Sequence, residues 1–439
     1  MYFLKEIEDC LDIPGFPWKK LIVSFILAQY IFEQFLVLRQ YKKLKEKKPS
    51  PALENIVDLE TYNKSQEYGR AKAKFGLVAE MYELVQKLLI ISYDILPKLY
   101  GFVQLQVDQF FPEKFSGEIF YSLLFFFILN LQSLIFNLPV TIYSTFVLEE
   151  KFGFNKQTFG LFVTDLIKTQ ILIVIIGGPA LFIFLKIIAY FGHVFFFYLW
   201  LFVFIFQMVL IVIYPTLIQP LFNKLTPLPD GELKSKVEEL ASNLKFPLKK
   251  LYVIDGSKRT SHSNAYFFGL PWNRQIVIYD TLIEKSETIE IVAVLAHELG
   301  HWALSHVAKI LTIAQIHIFF IFMLFSVFIQ NSSLYESFGF YPDKPILIGF
   351  VLYNDILTPI NSLLTFFMNI YTRKNEYEAD AFAAKLNYRK ELSRALIKVH
   401  IQNLSTMDAD KLYSSYHYSH PLLVERLRAL GYRHESKHE

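Results

Sequence analysis

The sequence predicts a mainly α-helical protein that crosses a membrane several times and carries a folded domain outside the bilayer. Apolar residues make up 53% of the 439 residues, and the mean hydropathy is +0.31. A water-soluble domain of this length is rarely so apolar. The apolar residues are concentrated in stretches of about 20, the length that an α-helix needs to cross the hydrocarbon core. Two long polar segments have the residue patterns of helices and short strands.

Seven apolar stretches are predicted to be transmembrane helices. They lie at 18–38, 77–103, 119–148, 158–190, 194–221, 307–329 and 346–371. Four ionisable residues fall inside them, namely Glu33, Asp165, Lys168 and Asp355. Charged groups do not face lipid cheaply, so these side chains are expected either to pair between helices or to line a water-filled cavity. The residues alone favour neither outcome.

The distribution of charge predicts how the chain is oriented in the membrane. Residues 39–48 hold six basic residues and one acid, whereas 104–118 holds one lysine and three acids. By the positive-inside rule, the loop 39–76 is cytosolic, and 104–118 and the N-terminus are lumenal. The predicted organisation is helices one to five with their cytosolic loop at 1–221, a cytosolic segment at 222–306, helices six and seven at 307–371 and a cytosolic tail at 372–439. The lumenal loop 330–345 contains the sequon Asn331-Ser332-Ser333.

The two cytosolic segments are predicted to be folded. Residues 231–244 have helical periodicity, and 251–254 and 275–279 have the β-branched and aromatic residues of short strands. A helix cap is predicted at 280–281, and a longer helix is predicted over 286–308. The sequence therefore predicts a mixed domain with a small β-sheet on the cytosolic side.

Charge and cysteine content exclude several classes of function. A net charge of +3 gives no basis for nucleic-acid binding. The single cysteine, Cys10, excludes an intrachain disulfide and a thiolate zinc cluster, so a metal site must use His, Asp or Glu. Residues 1–12 carry four acids and one lysine, which is not the pattern of a cleavable signal peptide.

The segment His297-Glu298-Leu299-Gly300-His301 is the clearest functional motif. Two histidines four apart on the predicted helix place both imidazoles on one face, as tetrahedral zinc requires. Glu298 lies about 100° further round the helix, so it can act as the base on a zinc-bound water and not as a ligand. The chain is therefore predicted to be a zinc metalloprotease. The alternative is a surface helix with two histidines and no metal.

A third metal ligand is expected in the downstream segment 373–380, which offers three acids on a predicted helix. Glu376 and Asp380 are four apart and share a face, whereas Glu378 points nearly opposite to Glu376. In one interpretation Glu376 is the ligand and Asp380 orients a ligating histidine. In the other, the segment is a solvated acidic helix face. Spacing leaves both open.

Long motifs along nearly the whole chain resemble one family. They are RAKAKF at 70–75, VLEEKFGFN at 147–155, DGSKRTSHSNAYFFGLP at 255–271, IVIYDTL at 276–282, VLAHELGHW at 294–302, NEYEADAFA at 375–383 and SSYHYSHPLLVERLRAL at 414–430. In these motifs the chain resembles the integral-membrane CAAX prenyl proteases, which are zinc endopeptidases of the eukaryotic endoplasmic reticulum and inner nuclear membrane.

The resemblance implies one Zn²⁺ per chain and no organic cofactor. It implies that His297, His301 and Glu376 hold the zinc. Glu298 is then the general base. Asp380 is not a ligand itself, but it orients a histidine that is.

The resemblance also implies that Asn264 contacts the substrate or the transition state, and that His420 helps to stabilise the oxyanion. The residues alone favour other roles, with Asn264 as a turn residue and His420 as a helix N-cap before Pro421. The other histidines discussed are expected to lie outside the chemistry, as neighbours or as packing and surface residues: His262, His417, His306 and His317.

The fold implied by the resemblance is seven helices that enclose a large intramembrane chamber, capped by the zinc domain. In that fold the four ionisable residues of the spans line the chamber. The loop around 341–345 is short for the family. The implied substrate is a prenylated CAAX protein that loses its last three residues, and some family members also cut a pheromone precursor upstream. The implied location is the endoplasmic reticulum or inner nuclear membrane, with the active site facing the cytosol.

Two other functions are compatible with the residues. One is a quality-control protease that acts on membrane proteins without a lipid anchor. The other is a transporter or channel with a zinc site, although a structural zinc usually has four Cys or His ligands. The extended segments at 275–279 and around Asn264 are expected to bind a peptide backbone by β-addition. The oligomeric state is left open.

Overall fold

A computed structural model of the chain describes residues 2–51, 53–54, 56–270 and 273–432, so the end of the predicted tail, 433–439, lies outside the described residues. The helices of the N-terminal half are α1 (Tyr2–Leu11), α2 (Trp18–Lys43), α3 (Leu59–Ser92), α4 (Ile95–Phe110), α5 (Glu118–Tyr143), α6 (Phe159–Leu172), α7 (Gly178–Phe191), α8 (Phe195–Ile213) and α9 (Gln219–Phe222). Short π-helical turns, Ser144–Glu149, Ile173–Gly177 and Tyr214–Ile218, extend or join several of them.

The C-terminal half contains the strands and the remaining helices. The strands are β1 (Leu225–Pro227), β2 (Leu248–Ile254), β3 (Ala265–Leu270) and β4 (Asn273–Tyr279). The helices are α10 (Glu232–Asn243), α11 (Asp280–Lys285), α12 (Thr288–Ala303), α13 (His306–Phe328), α14 (Ser332–Ser337), α15 (Ile346–Ile356), α16 (Thr358–Lys385), α17 (Arg389–Gln402), α18 (Lys411–His417) and α19 (Leu423–Ala429).

Four helical stretches among the described residues are long and apolar enough to cross a membrane: Trp18–Lys43, Glu118–Glu149, Phe159–Phe222 and His306–Phe328. Two helix pairs pass the same test together, α3 with α4 bent by 64° and α15 with α16 bent by 59°. At 1.5 Å per residue, a stretch of 64 residues would be about 96 Å long, three times the hydrocarbon thickness. It folds back at Gly192 (φ +52), and α7 packs against α8. The helical membrane architecture is confirmed. The described residues offer four to six candidate spans, and they match the predicted seven when the 64-residue stretch is counted as two.

Each bent pair has a local cause. Asp94, between α3 and α4, adopts a left-handed conformation with φ +51, and Nζ of Lys19 donates a hydrogen bond to its carboxylate at 2.5 Å. Pro359 stands in the first turn of α16. Because proline has no N–H to donate, α15 cannot continue through it. The predicted loop 39–76 is also partly helical, since α3 begins at Leu59.

All four ionisable residues of the spans have polar partners, so pairing between segments is what the structure shows. Asp355 pairs with Lys87 at 2.7 Å. The other contacts are Asp165 with Arg259 (2.9 Å), Glu33 with His417 (3.2 Å) and Lys168 with the carbonyl of Leu221 (2.6 Å). A polar cavity of about 330 Å³ between α2 and α16 is lined by Glu33 and His417 together with amide and hydroxyl side chains. Asp165, Lys168 and Asp355 do not line it, so the large chamber stays a prediction.

Long-range contacts show which segments share an end of the helical bundle. Arg39, in the basic segment, makes two hydrogen bonds to Asp410 of the tail, at 2.9 and 3.0 Å. At the other end, the backbone N–H of Ser333 donates to Asp12 at 2.7 Å, and the carboxylate of Glu118 accepts from the N–H of Ile346. The basic segment and the tail therefore lie on one side of the bundle, and the N-terminus and the loop 330–345 lie on the other.

The predicted sequon is a structural cap and not an accessible glycan acceptor. The side chain of Asn331 is fully buried, and its oxygen accepts a hydrogen bond from the N–H of Leu334 at the start of α14. The indole of Trp18 donates to the hydroxyl of Ser333 at 2.9 Å. Because Asn331 is buried, the sequon gives no support to the predicted lumenal position of the loop 330–345.

The four strands form one sheet in the order β1-β2-β4-β3, with β2 and β4 parallel and the other pairs antiparallel. The predicted strands at 251–254 and 275–279 are confirmed within β2 and β4. The sequence missed β1, which has three residues beside a turn, and β3, whose pairing with β4 is set by tertiary structure. Ile276 and Ile278 of β4 are buried in one apolar core with Val292 and Leu295 of α12.

The predicted helix over 286–308 is two helices. Ser305 adopts φ +58, a left-handed conformation that ends α12 after Ala303 and lets α13 begin at His306. The predicted cap at 280–281 also differs, because α11 begins at Asp280 itself, with Tyr279 in the cap position.

Candidate active site

The HExxH motif lies on α12, which crosses α16 at close range. Gly300 makes this crossing possible, because a Cβ at this position would lie 3.2 Å from Cα of Ala379 and from Cβ of Phe382. A capping box between Glu287 and Glu290 starts α12, and the helix is buried along most of its length. The crossing brings the acidic segment of α16 against the two histidines.

Three side chains converge at the crossing: His297 and His301 of α12 and Glu376 of α16. One ligand atom from each lies within 4.8 Å of the other two. Nε2 of His297 is 3.2 Å from Nε2 of His301, and the carboxylate of Glu376 is 3.5 Å from the first and 3.3 Å from the second. Oε2 of Glu376 is buried and has no hydrogen-bond partner among the described residues. Two ring nitrogens and a buried carboxylate that meet in this way fit a divalent metal with one position left open.

Asp380 lies one helical turn beyond Glu376 and supports His297. Its Oδ1 is 2.8 Å from Nδ1 of His297. Arg426 of α19 donates two hydrogen bonds to the same carboxylate, at 2.6 and 2.8 Å, and its guanidinium is 3.4 Å from Glu376. All four side chains are buried. The carboxylate therefore orients the imidazole, and the arginine compensates the two buried acids.

A cavity of about 250 Å³ opens beside this cluster and is lined by Glu298. Burial raises the pKa of the Glu298 carboxyl, against the opposing effect of His297 and His301. A raised pKa suits a carboxyl that has to take up a proton and release it again. The apolar part of the wall includes the larger aliphatic side chains Leu282, Val294, Leu392, Leu396 and Val399.

Asn264 and His420 line the same cavity. Asn264 precedes β3, and its side-chain oxygen Oδ1 accepts a hydrogen bond from the N–H of Ala265 at 2.8 Å. Nε2 of His420 lies 3.4 Å from Glu376, and its side chain is 64% exposed. The alternative of a helix N-cap does not hold for His420, because α19 begins only at Leu423.

Residues 227–434 match the family described as Peptidase family M48. Residues 40–224 match the family described as CAAX prenyl protease N-terminal, five membrane helices. The chain belongs to the M48 peptidase family.

Relatives of this M48 peptidase match it over nearly its full length. CAAX prenyl protease 1 of Saccharomyces cerevisiae is 48% identical over 98% of this chain and 99% of its own. The CAAX prenyl protease 1 homolog of Homo sapiens is 39% identical, over 93% of this chain and 94% of its own. The crystal structure of S. mikatae Ste24p has 48% sequence identity and superposes with a TM-score of 0.90, over 95% of this chain and 100% of that one. As an M48 peptidase, the chain is a membrane-bound metalloprotease.

Two of the histidines of this M48 peptidase lie outside the cavity, as the sequence predicted. His262 stacks on Phe154, with ring centroids 4.3 Å apart, and lines a separate cavity beside α3. His417 contacts Glu33 in the polar cavity between α2 and α16.

His306 is buried, which agrees with the predicted packing role, but its ring also contacts one of the clustered histidines. It is 1% exposed, and Nδ1 of its ring is 2.9 Å from Nδ1 of His301. Its Nε2 is 3.0 Å from Glu378. Glu378, which was predicted to point nearly opposite to Glu376, therefore contacts a histidine next to the cluster.

Sequence reasoning also missed Arg426 and His400. Arg426 belongs to the long C-terminal motif, but nothing in that motif indicates which of its arginines turns inward. His400 lines the cavity, and burial together with the charge of Arg426 lowers the pKa of its imidazole to about 4. The ring is therefore neutral at neutral pH.

Proposed function

We propose that the protein is a zinc endopeptidase that removes the C-terminal tripeptide from prenylated CAAX proteins. The observation that carries the proposal is the placement of Glu298. It lies beside a three-ligand metal cluster, in a cavity with an apolar wall, within a membrane-spanning M48 peptidase. The aliphatic wall suits the small apolar residues that follow the cysteine of a CAAX sequence.

The donor set supports zinc and a hydrolytic reaction. Two imidazoles and one carboxylate, with no thiolate, are typical of catalytic zinc. Bound at His297, His301 and Glu376, zinc supplies Lewis-acid chemistry that polarises a peptide carbonyl and acidifies water. Glu298 accepts a proton from the attacking water and passes it to the leaving amine as the C–N bond breaks.

Asn264 and His420 are proposed as donors to the scissile carbonyl oxygen. Asn264 and His420 both line the cavity that Glu298 lines, and each side chain carries an N–H donor. A carbonyl oxygen gains negative charge as water adds, so N–H donors aimed at it lower the barrier. Replacing either one by alanine should therefore reduce kcat and leave the zinc bound.

The peptide backbone is proposed to pair with β3. The expectation that the strand at 275–279 offers an edge is wrong, because β4 lies between β2 and β3. β3 is one of the two edge strands of the described sheet, and Asn264 immediately precedes it. A substrate strand added at β3 would enter the cavity beside the metal ligands.

The proposed substrate carries a prenyl chain, and the proposed active site faces the cytosol. A prenyl chain buried among the helices gains about 0.8 kcal/mol for each CH₂. The basic segment 39–48 and the C-terminal tail share one side of the bundle, which the positive-inside rule makes cytosolic. We place the active site on the cytosolic side of the endoplasmic reticulum or inner nuclear membrane.

The test is cleavage of matched peptides by the purified full-length protein in liposomes. One CAAX peptide carries a farnesyl group and the other carries none. We expect release of the tripeptide from the farnesylated peptide, loss of activity with o-phenanthroline and recovery with added zinc. Metal analysis should return one zinc per chain.

Two outcomes contradict the proposal. Equal turnover of the two peptides indicates a quality-control protease that does not recognise the lipid. Activity that survives complete removal of zinc excludes the metallopeptidase chemistry assigned to this cluster.

A further inference from the structure

His297 and His301 have different hydrogen-bond partners at Nδ1, the ring nitrogen that does not face the metal position. Nδ1 of His297 reaches a carboxylate directly, at 2.8 Å from Asp380. Nδ1 of His301 reaches a second imidazole, at 2.9 Å from Nδ1 of His306. That imidazole reaches a carboxylate in turn, with Nε2 of His306 at 3.0 Å from Glu378. His301 is therefore linked to a carboxylate through two successive hydrogen bonds, whereas His297 is linked to one directly.

The break between α12 and α13 places His306 in this position. In an uninterrupted helix a residue five positions on lies about 140° round the axis and about 7.5 Å further along it, so its ring could not face that of His301. Ser305 adopts φ +58 and ends α12, and His306 becomes the first residue of α13. The ring of His306 is buried to 1% exposure.

Glu378 reaches His306 because it lies on the side of α16 away from Glu376. Two residues along a helix correspond to about 200°, so these acids face different neighbours. Glu376 faces the histidines of α12, and Glu378 faces the first turn of α13. The other oxygen of Glu378 lies 3.7 Å from Nζ of Lys374, so the carboxylate is anchored on its own helix as well.

One arrangement of protons gives a donor and an acceptor to both hydrogen bonds, the one between His301 and His306 and the one between His306 and Glu378. A neutral histidine that gives Nε2 to a metal carries its proton on Nδ1. His301 then donates to Nδ1 of His306, which leaves the proton of His306 on Nε2, and this proton is donated to Glu378. Both hydrogen bonds have a donor and an acceptor in this arrangement. It also requires that His301 offers its Nε2 lone pair to the metal.

We propose that His306 and Glu378 are positioning residues for His301, which they hold in the metal-binding tautomer and orientation. This role rests on the proposed metal site at His297, His301 and Glu376. Outer partners of metal-ligating histidines typically change metal affinity 10–100-fold when they are removed. His306 therefore acts through His301 and does not touch the substrate.

The test measures zinc affinity of the purified full-length protein by competition with a chromophoric chelator. His306→Phe keeps a ring of similar volume and removes the acceptor, and it should weaken zinc binding 10–100-fold. His306→Asn keeps an acceptor near the position of Nδ1 and should recover most of that affinity. His317→Phe, the same change further along α13, is the matched control and should bind zinc like the parent.

Glu378 is tested by a second pair of variants. Glu378→Gln keeps an oxygen that can accept from His306 and should weaken zinc binding less than threefold. Glu378→Leu removes the acceptor and should weaken zinc binding by the larger factor. With Co²⁺ in place of zinc, the visible absorption spectrum of His306→Phe should shift, because the orientation of one ligand has changed.

Two results overturn the positioning role. The first is a zinc affinity of His306→Phe within twofold of the parent. The second is a fall in the thermal midpoint of the metal-free protein as large as that of the zinc-bound protein, which would assign His306 to packing alone. If the parent protein itself binds no zinc, the proposed function fails as well, so the two failures are distinguishable.

Discussion

Arg426 donates two hydrogen bonds to the carboxylate of Asp380, at 2.6 and 2.8 Å, where both side chains are buried. The two residues are 46 apart in the chain. Asp380 in turn holds the ring of His297. A cation from the C-terminal tail thus contacts the candidate metal site, whereas Arg373 of the acidic segment donates to backbone carbonyls of the tail.

Replacing Arg426 with methionine should destabilise the site strongly. The substitution leaves the carboxylates of Asp380 and Glu376 buried without their cation, which typically costs about 3–5 kcal/mol. Thermal unfolding and bound zinc should both be measured, and both should decrease. Arg428→Met on the exposed side of α19 is the matched control. Parent-like stability of Arg426→Met would mean that the buried acids find another partner.

Glu298→Gln should separate metal binding from catalysis. The amide has nearly the shape of the carboxyl but cannot accept a proton, so zinc content should stay at one per chain. Cleavage of the farnesylated peptide should fall by at least about 100-fold. Glu284→Gln, on an exposed position of α11, provides the control. Cleavage retained by Glu298→Gln would exclude this residue as the base.

Gly300→Ala should weaken the contact between α12 and α16. The added Cβ meets Cα of Ala379 at 3.2 Å, and a backbone atom cannot move aside as a flexible side chain can. Overpacking of this kind costs about 1–3 kcal/mol. The thermal midpoint should fall and zinc affinity with it, because the ligands sit on the two separated helices. Gly101→Ala in α4 is the control, since no atom lies within 4 Å of its added Cβ; equal behaviour of the two variants would contradict the close crossing.

The pair of Arg39 and Asp410 should contribute stability that depends on pH. Hydrogen bonds from Arg39 hold the pKa of Asp410 below its ordinary value of 3.8. A lowered pKa in the folded state stabilises the protein at and above pH 3.8, and this contribution is lost as the pH falls further. The thermal midpoint of Asp410→Asn should therefore lie below that of the parent at pH 7, and the difference should shrink in acid. Lys411→Gln should show no such dependence, and a constant difference for Asp410→Asn would exclude the ion pair as its cause.

The sequence by itself determined the features that depend on neighbours along the chain. Seven apolar stretches identify the membrane crossings, because the thickness of the bilayer sets the length of a helix that spans it. The four-residue spacing of His297 and His301 determines that they share a helix face. Alternation of β-branched residues identified β2 and β4, since the pattern of a strand is local.

Tertiary structure alone decided which distant residues meet. The choice of Glu376 over its neighbours depends on the crossing of α12 and α16 at Gly300, and the inward turn of Arg426 depends on where the tail packs. The place of His306 depends on the backbone conformation of Ser305, a single residue that breaks a helix whose pattern predicts continuity. Local periodicity cannot determine such contacts, because the free energy that fixes them comes from burial shared among segments far apart in the chain.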